Sequence, residues 1–369
     1  MKRQLQSLWT NGDHSMSFLF LILVGWGLLM IRSATLGTRF SPMAGKQALW
    51  AVLSTGIYLL ALIIPYETWL EYAYLIYGAS VVSLVFVLLI GHRVAGARSW
   101  ITLGPVGFQP SEFAKVAAIM ACAAYLKSVS GRRAGLREAF IMALMVCVPA
   151  ALTFLQPDLG TTATFLPILL VPFYLSKAKL STLLKWAFAG LCLLLVMFAI
   201  GWFSFFKPYQ KDRILTFMNP SFDPRGAGYQ LQQSTIAVGS GEITGKGLYS
   251  GTQNRLSFLP AAHTDFIFSV IAEETGFVGS LSLLTIFLLL LSRFLNAARL
   301  SRDAEGRFIA VAALSLILCH LLINVGMVLG LLPTTGIPLP FISYGGSFLL
   351  SMSFLTGLVG NVYARRFVE

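Results

Sequence analysis

The chain alternates apolar runs of about twenty residues with short polar connections, and that rhythm confines it to a membrane. A helix crossing the hydrocarbon core needs about 20 mostly apolar residues. Ten stretches meet that length, at approximately 16–34, 48–65, 72–91, 111–127, 138–155, 160–176, 182–206, 265–293, 307–332 and 343–363. Of the 369 residues 56% are hydrophobic and only 11% charged, too few charges to cover a soluble protein of this size. The expected fold is an all-α integral membrane protein of about ten transmembrane helices. It forms one polytopic domain over 1–369, with a large extracytoplasmic loop, about 207–264, between helices 7 and 8. The sixth run is short and carries Pro167 and Pro172, so it is expected to be broken or tilted. Met1–Asp13 is polar and leads into an apolar run too long for a removable signal peptide, which makes the first run a retained anchor.

A net charge of +12 would suit nucleic acid, but the basic residues sit in short runs between apolar segments. Positive-inside bias and anionic lipid headgroups account for them, and no nucleic-acid module is present. With an even number of spans both termini share one side. Lys127, Arg132, Arg133, Arg137, Arg299, Arg302 and Arg307 then make that side cytoplasmic. Cys122, Cys147, Cys192 and Cys319 lie apart inside apolar runs and read as small buried hydrophobes. This orientation gathers four polar stretches on the outer face: Gly91–Ser111, Gln156–Gly160, the segment ending at Asp265, and the Pro/Gly-rich turn before the last helix. A carrier that alternates access would place ionisable groups near the midplane of several helices instead. ATP is absent outside the cell, so a synthesis there needs a substrate that arrives activated, and lipid-linked pyrophosphates are that class.

The candidate residues each carry a plain alternative. Asp265, at the water–lipid boundary, is either the N-cap of the next helix or a catalytic base. Ser111 is placed to cap the fourth helix. Glu112 and Lys115, three apart on one face, form a structural ion pair or line a cavity. Asp158, in the turn Gln156-Pro-Asp-Leu-Gly160, caps the following segment or faces the site. Glycines in Ser240-Gly-Glu-Ile-Thr-Gly-Lys-Gly247, with Lys246 and Arg255, suit an anion cradle or an ordered surface loop. His263 beside Asp265 suggests a dyad. No His pair has zinc-ligand spacing, and no Gly-x-Ser-x-Gly setting supports a Ser-His-Asp hydrolase. The chemistry admits a divalent cation held chiefly by a pyrophosphate and one or two carboxylates, and calls for no organic cofactor.

Gly96-Ala-Arg-Ser-Trp-Ile101, Gln109-Pro-Ser-Glu112, Gln156-Pro-Asp-Leu-Gly-Thr161, His263-Thr-Asp-Phe-Ile-Phe268 and Gly336-Ile-Pro-Leu-Pro-Phe-Ile-Ser-Tyr-Gly-Gly-Ser347 together resemble the SEDS family (RodA/FtsW-like) of cell-wall polymerases. The likeness covers nearly the whole chain in order, and Leu248-Tyr-Ser-Gly-Thr-Gln253 looks more like its elongation branch. Two positions depart from the family pattern: Ala261-Ala262, where an acidic residue is frequent, and Glu242, where a glycine is common. The resemblance implies a peptidoglycan glycosyltransferase of the bacterial cytoplasmic membrane. It would polymerise lipid II on the outer leaflet beside a class B penicillin-binding protein, with undecaprenyl pyrophosphate as leaving group. It implies Asp265 as base, Mg or Mn as the cation, and Arg98, Lys246, Arg255, His263, Asp158 and Ser343 as substrate or cavity residues with Glu112 and Lys115. A lipid II flippase and a non-catalytic scaffold for a transpeptidase are the rival expectations.

Overall fold

The computed structural model describes residues 12–38, 40–94, 97–103, 106–129, 135–176, 208–219, 222–223, 226–255 and 258–367. The expected span 182–206 lies outside them. Helices α1 (His14–Thr35), α2 (Pro42–Ile63), α3 (Tyr66–Glu71) and α4 (Ala73–Ile90) lead into a three-stranded antiparallel sheet. Its strands are β1 (His92–Val94), β2 (Ala97–Leu103) and β3 (Val106–Phe108), in that order. There follow α5 (Pro110–Ser128), α6 (Leu136–Leu155), α7 (Leu159–Ala163), α8 (Phe165–Leu175), α9 (Pro208–Met218), α10 (Ala227–Ser240) and α11 (Thr252–Arg255). The chain closes with α12 (Ile267–Leu300), α13 (Ala304–Val328) and α14 (Gly346–Ala364). Among the described residues seven helices are long and apolar enough to cross a membrane. The expected sixth span is indeed broken, into α7 and α8 at Thr164, with Pro172 inside the second piece.

Helix α5 falls outside those seven because Glu112, Lys115 and Lys127 interrupt its apolar run, yet most of its side chains are buried. Ala114, Ala117, Ala118, Ala121 and Ala123 are buried along it, and side chains this small let neighbouring backbones approach in the absence of a hydrophobic drive between helices in lipid. Around it the core is aromatic and aliphatic. Phe20 of α1 stacks on Tyr58 of α2 with centroids 4.5 Å apart and meets Phe341 edge-on at 5.5 Å.

The two ends of the bundle are chemically distinct. At one end Arg293 pairs with Asp13 at 2.7 Å, Tyr66 hydroxyl donates to Asp303, and Asn361 Nδ2 donates to Leu62 and Ile64 carbonyls at 2.6 and 2.8 Å. At the other lie the sheet, α7, α9 to α11 and the turn before α14. The polar 207–264 segment, read as a loop, is therefore helical over much of its described length.

Helix α12 spans 34 residues, about 51 Å at 1.5 Å per residue, and it is not continuous. Gly276 has φ +66° and ψ −163°, a conformation confined to glycine. A side chain there would also meet Ile243 and Gly245 backbone atoms at 2.6 and 2.3 Å. The segment 242–247 occupies the break: Lys246 and Gly247 N–H donate to Glu273 and Glu274 carbonyls at 3.0 and 2.9 Å, and Phe277 N–H donates to Glu242 at 2.9 Å. The short piece before the break follows directly on the Asp265 segment.

Candidate active site

Asp265 immediately precedes α12, but it does not cap it. The helix begins at Ile267 with Phe266 in the cap position and no side-chain cap bond. Of the two alternatives for Asp265, the cap is therefore not the one the structure shows. Ser111 is corrected likewise, since α5 starts at Pro110 with Gln109 as its cap, and proline at the first position fixes the start one residue early. Asp158 does cap, taking Thr161 N–H at 3.0 Å and the Thr161 hydroxyl at 2.9 Å.

Freed from capping, the Asp265 carboxylate faces a cavity of about 810 Å³. All four polar stretches singled out in the sequence contribute to its wall, through Trp100 and Gln109, Asp158, His263 to Asp265, and Thr334 to Pro338. Burial pushes the Asp265 carboxyl up to about 6. Nearby Arg213 and a hydrogen bond from Thr264 pull it down, while Asp158 adds to the rise. The carboxyl is thereby tuned into the range of a general base at neutral pH, because desolvation outweighs the cation beside it.

The backbone around Asp265 is held from three sides. Asn324 of α13 donates through Nδ2 to the Asp265 carbonyl at 2.8 Å and to the Ile337 carbonyl at 2.7 Å. Ser343 donates to the Thr264 carbonyl at 2.6 Å and accepts Leu339 N–H at 2.8 Å. Tyr344 N–H donates to the His263 carbonyl at 3.0 Å. Gly336, at φ +74°, lies against the carboxylate, where a Cβ would sit 3.3 Å from Asp265 Oδ2. His263 packs between Phe40 and Tyr344, ring centroids 4.6 and 5.8 Å away, and burial lowers its imidazole below the usual value. The dyad suggested by the sequence is not formed by a hydrogen bond between His263 and Asp265 among the described contacts.

Glu112 and Lys115 are both buried, with Nζ 3.0 and 2.9 Å from the two carboxylate oxygens, and Glu112 lines the cavity. Lys246 is elsewhere. It pairs with Glu273 at 2.6 Å, and Thr252 and Gln253 N–H donate to the same oxygen at 2.8 and 3.2 Å. The Glu273 carboxylate is therefore held by the Lys246 side chain and the N–H groups of residues 252 and 253, while the glycine-rich segment's own N–H groups at 246 and 247 bond backbone carbonyls, and Lys246 does not line the cavity. Arg98 on β2 is exposed and anchored by its backbone, its N–H donating to the Gln156 carbonyl at 3.2 Å. The Arg255 side chain lies outside the described residues.

Sequence reasoning missed Lys46 of α2, Arg213 of α9 and His320 of α13, all on the cavity wall. Lys-Asp-Arg213 in the long polar segment carried no motif. His320, alone in an apolar run, was a signal in plain sight, because an imidazole in a membrane helix needs a polar partner. Among the described residues no group of three or more His, Cys, Asp or Glu is arranged to hold a metal ion. The protein offers no preformed metal cage there.

A helical membrane protein whose bundle opens at one end into a large cavity around a tuned, non-capping carboxylate belongs among polytopic enzymes acting at a membrane surface. Residues 13–367 match the model of the FtsW/RodA/SpoVE proteins, described as cell cycle proteins, and the chain belongs to that family. It is 37% identical over 358 residues to the peptidoglycan glycosyltransferase MrdB of Escherichia coli (strain K12), covering 96% of this chain and 94% of that protein. Its structure resembles a chain from a peptidoglycan synthase complex that coordinates polymerization and crosslinking, with TM-score 0.81, 32% identity, and coverage of 97% of this chain and 99% of that one. It also resembles the rod shape determining protein RodA of Thermus thermophilus, with TM-score 0.70, 28% identity, and coverage of 98% and 99%.

Proposed function

We propose that this chain is a peptidoglycan glycosyltransferase that polymerises lipid II at the outer face of the bacterial cytoplasmic membrane, with both termini cytoplasmic. One observation carries the reading: a carboxylate that caps nothing stands in a cavity of about 810 Å³ and is tuned by burial to about 6. Asp265 accepts the proton of the acceptor sugar's 4-hydroxyl as that oxygen attacks the anomeric carbon of the donor. The C–O bond to undecaprenyl pyrophosphate breaks, and the leaving group departs with the electron pair. Arg213 and Lys46, on the same wall, supply the positive charge that a departing pyrophosphate needs. A divalent cation, Mg or Mn, would be held chiefly by the pyrophosphate and one or two carboxylates. The partner is a class B penicillin-binding protein that cross-links the strands, in keeping with the resemblance to a synthase-complex chain.

The test is polymerisation of lipid II in detergent by the purified protein with its transpeptidase, with no membrane to cross. Glycan strands are expected from wild type and none from Asp265→Asn. A flippase yields no polymer from either, and a scaffold leaves cell-wall synthesis intact in cells carrying Asp265→Asn.

A further inference from the structure

Two side chains of α13, one turn apart on one face, grip the turn before α14. Asn324 holds the Ile337 carbonyl, and His320 Nδ1 lies 3.3 Å from the Pro338 carbonyl. The other ring nitrogen of His320, Nε2, lies 3.1 Å from Lys115 Nζ. Lysine ammonium only donates, so Nε2 must accept. The proton then sits on Nδ1 and points to Pro338, which leaves one tautomer of a neutral ring. Lys115 is 0% and His320 1% exposed.

A bare structural ion pair does not need this arrangement. Replacing a buried pair by apolar side chains is often neutral or stabilising. Instead, a third buried polar side chain takes up an ammonium proton that Glu112 leaves over. Glu112 and His320 both line the cavity that holds Asp265, and Glu112 Oε2 accepts no directed hydrogen bond. That oxygen is buried and lies 2.9 Å from Lys115 Nζ, so the ammonium holds it by charge.

We infer that His320 is a positioning residue for the transfer reaction: its Nε2 fixes Lys115, and through Lys115 the Glu112 carboxylate, in the cavity wall, while its Nδ1–H ties that wall to the turn packed on Asp265. The role rests on the glycosyl transfer proposed above. The Glu112 carboxylate lines the cavity at a position that depends on Lys115, and Lys115 shares its hydrogen bonds between Glu112 Oε1 and His320 Nε2. The imidazole itself does not touch the reacting atoms.

The two nitrogens can be separated by substitution. His320→Gln places an amide oxygen near the Nε2 position and keeps an acceptor for Lys115. His320→Asn places an amide near Nδ1 and keeps the tie to Pro338, and His320→Leu keeps neither. Lipid II polymerisation by the full-length protein with its transpeptidase is measured for each, as kcat and KM, with the melting temperature recorded. His320→Gln is expected within about 3-fold of wild-type kcat, and His320→Leu and His320→Asn about 10- to 100-fold lower with KM nearly unchanged. That range corresponds to the loss of one hydrogen bond to a charged group. Unchanged kcat in His320→Leu overturns the role, and so does a loss that follows melting temperature across the three variants instead of following the Lys115 acceptor. Wild type and Asp265→Asn run alongside: an inert wild type refutes the proposed function, whereas an active wild type beside a fully active His320→Leu refutes only the positioning role.

Discussion

Asp265→Asn should make the protein more stable and inactive at once. In the fold the carboxyl titrates near 6, against 3.8 for a free side chain, and desolvation is the leading cause. A shift of about two pH units corresponds to about 3 kcal/mol at about 1.36 kcal/mol per unit, and the cavity-facing oxygens see some water, so about 1–3 kcal/mol is expected. The sign follows from linkage. Between pH 3.8 and about 6 the folded state binds more protons than the unfolded state, so stability falls as pH rises through that window and is level above it. Asparagine has the same shape and no charge. Its gain over wild type should be absent below about pH 4, grow across the window and be complete above about pH 7.

Thermal melting of purified wild type and Asp265→Asn in detergent at a series of pH values reads this directly, with polymerisation followed in the same preparations. Removal of a general base costs about 100- to 10,000-fold in rate. A variant less stable than wild type at pH 7.5 refutes the reasoning, because the carboxylate would then be held by partners and not strained by burial. A gain independent of pH refutes it equally, since the difference would owe nothing to ionisation.

The polymerisation rate of wild type should rise along an acid limb centred near pH 6, with about a tenth of Asp265 ionised at pH 5 and about nine-tenths at pH 7. Arg213→Gln should move that limb to higher pH, as the opposing cation is removed; a limb that stays put would exclude Arg213 as a neighbour of the base. Gly336→Ala places a methyl 3.3 Å from Asp265 Oδ2 at a left-handed φ, and should cost about 1–2 kcal/mol in melting experiments and most of the polymerisation activity. Glu242 is exposed at φ +47°, so Glu242→Gly should leave activity unchanged and stabilise the fold by about 0.5–1 kcal/mol; a loss of stability on melting would show that its side chain is held.

What the sequence could reveal divides along a physical line. Apolar length and Pro placement are local properties, so seven of the ten expected spans, the broken sixth run and the gathering of polar stretches at one end were legible, as was Glu242 as a departure from glycine. Capping, in contrast, depends on where the chain turns. Asp265 and Ser111 both have the right chemistry to cap and neither does, because Phe266 and Pro110 set the helix starts. Long-range pairing was equally hidden. Lys246 finds Glu273, 27 residues away, and Lys115 finds His320, 205 residues away, and nothing near any of these four announces its partner. The two outcomes bear on function in opposite directions. A cation that meets a buried carboxylate outside the cavity is spent on closing the break in α12, whereas a carboxylate released from its expected cap, and a lysine held by two side chains where one would neutralise it, remain on the cavity wall with chemistry left to do.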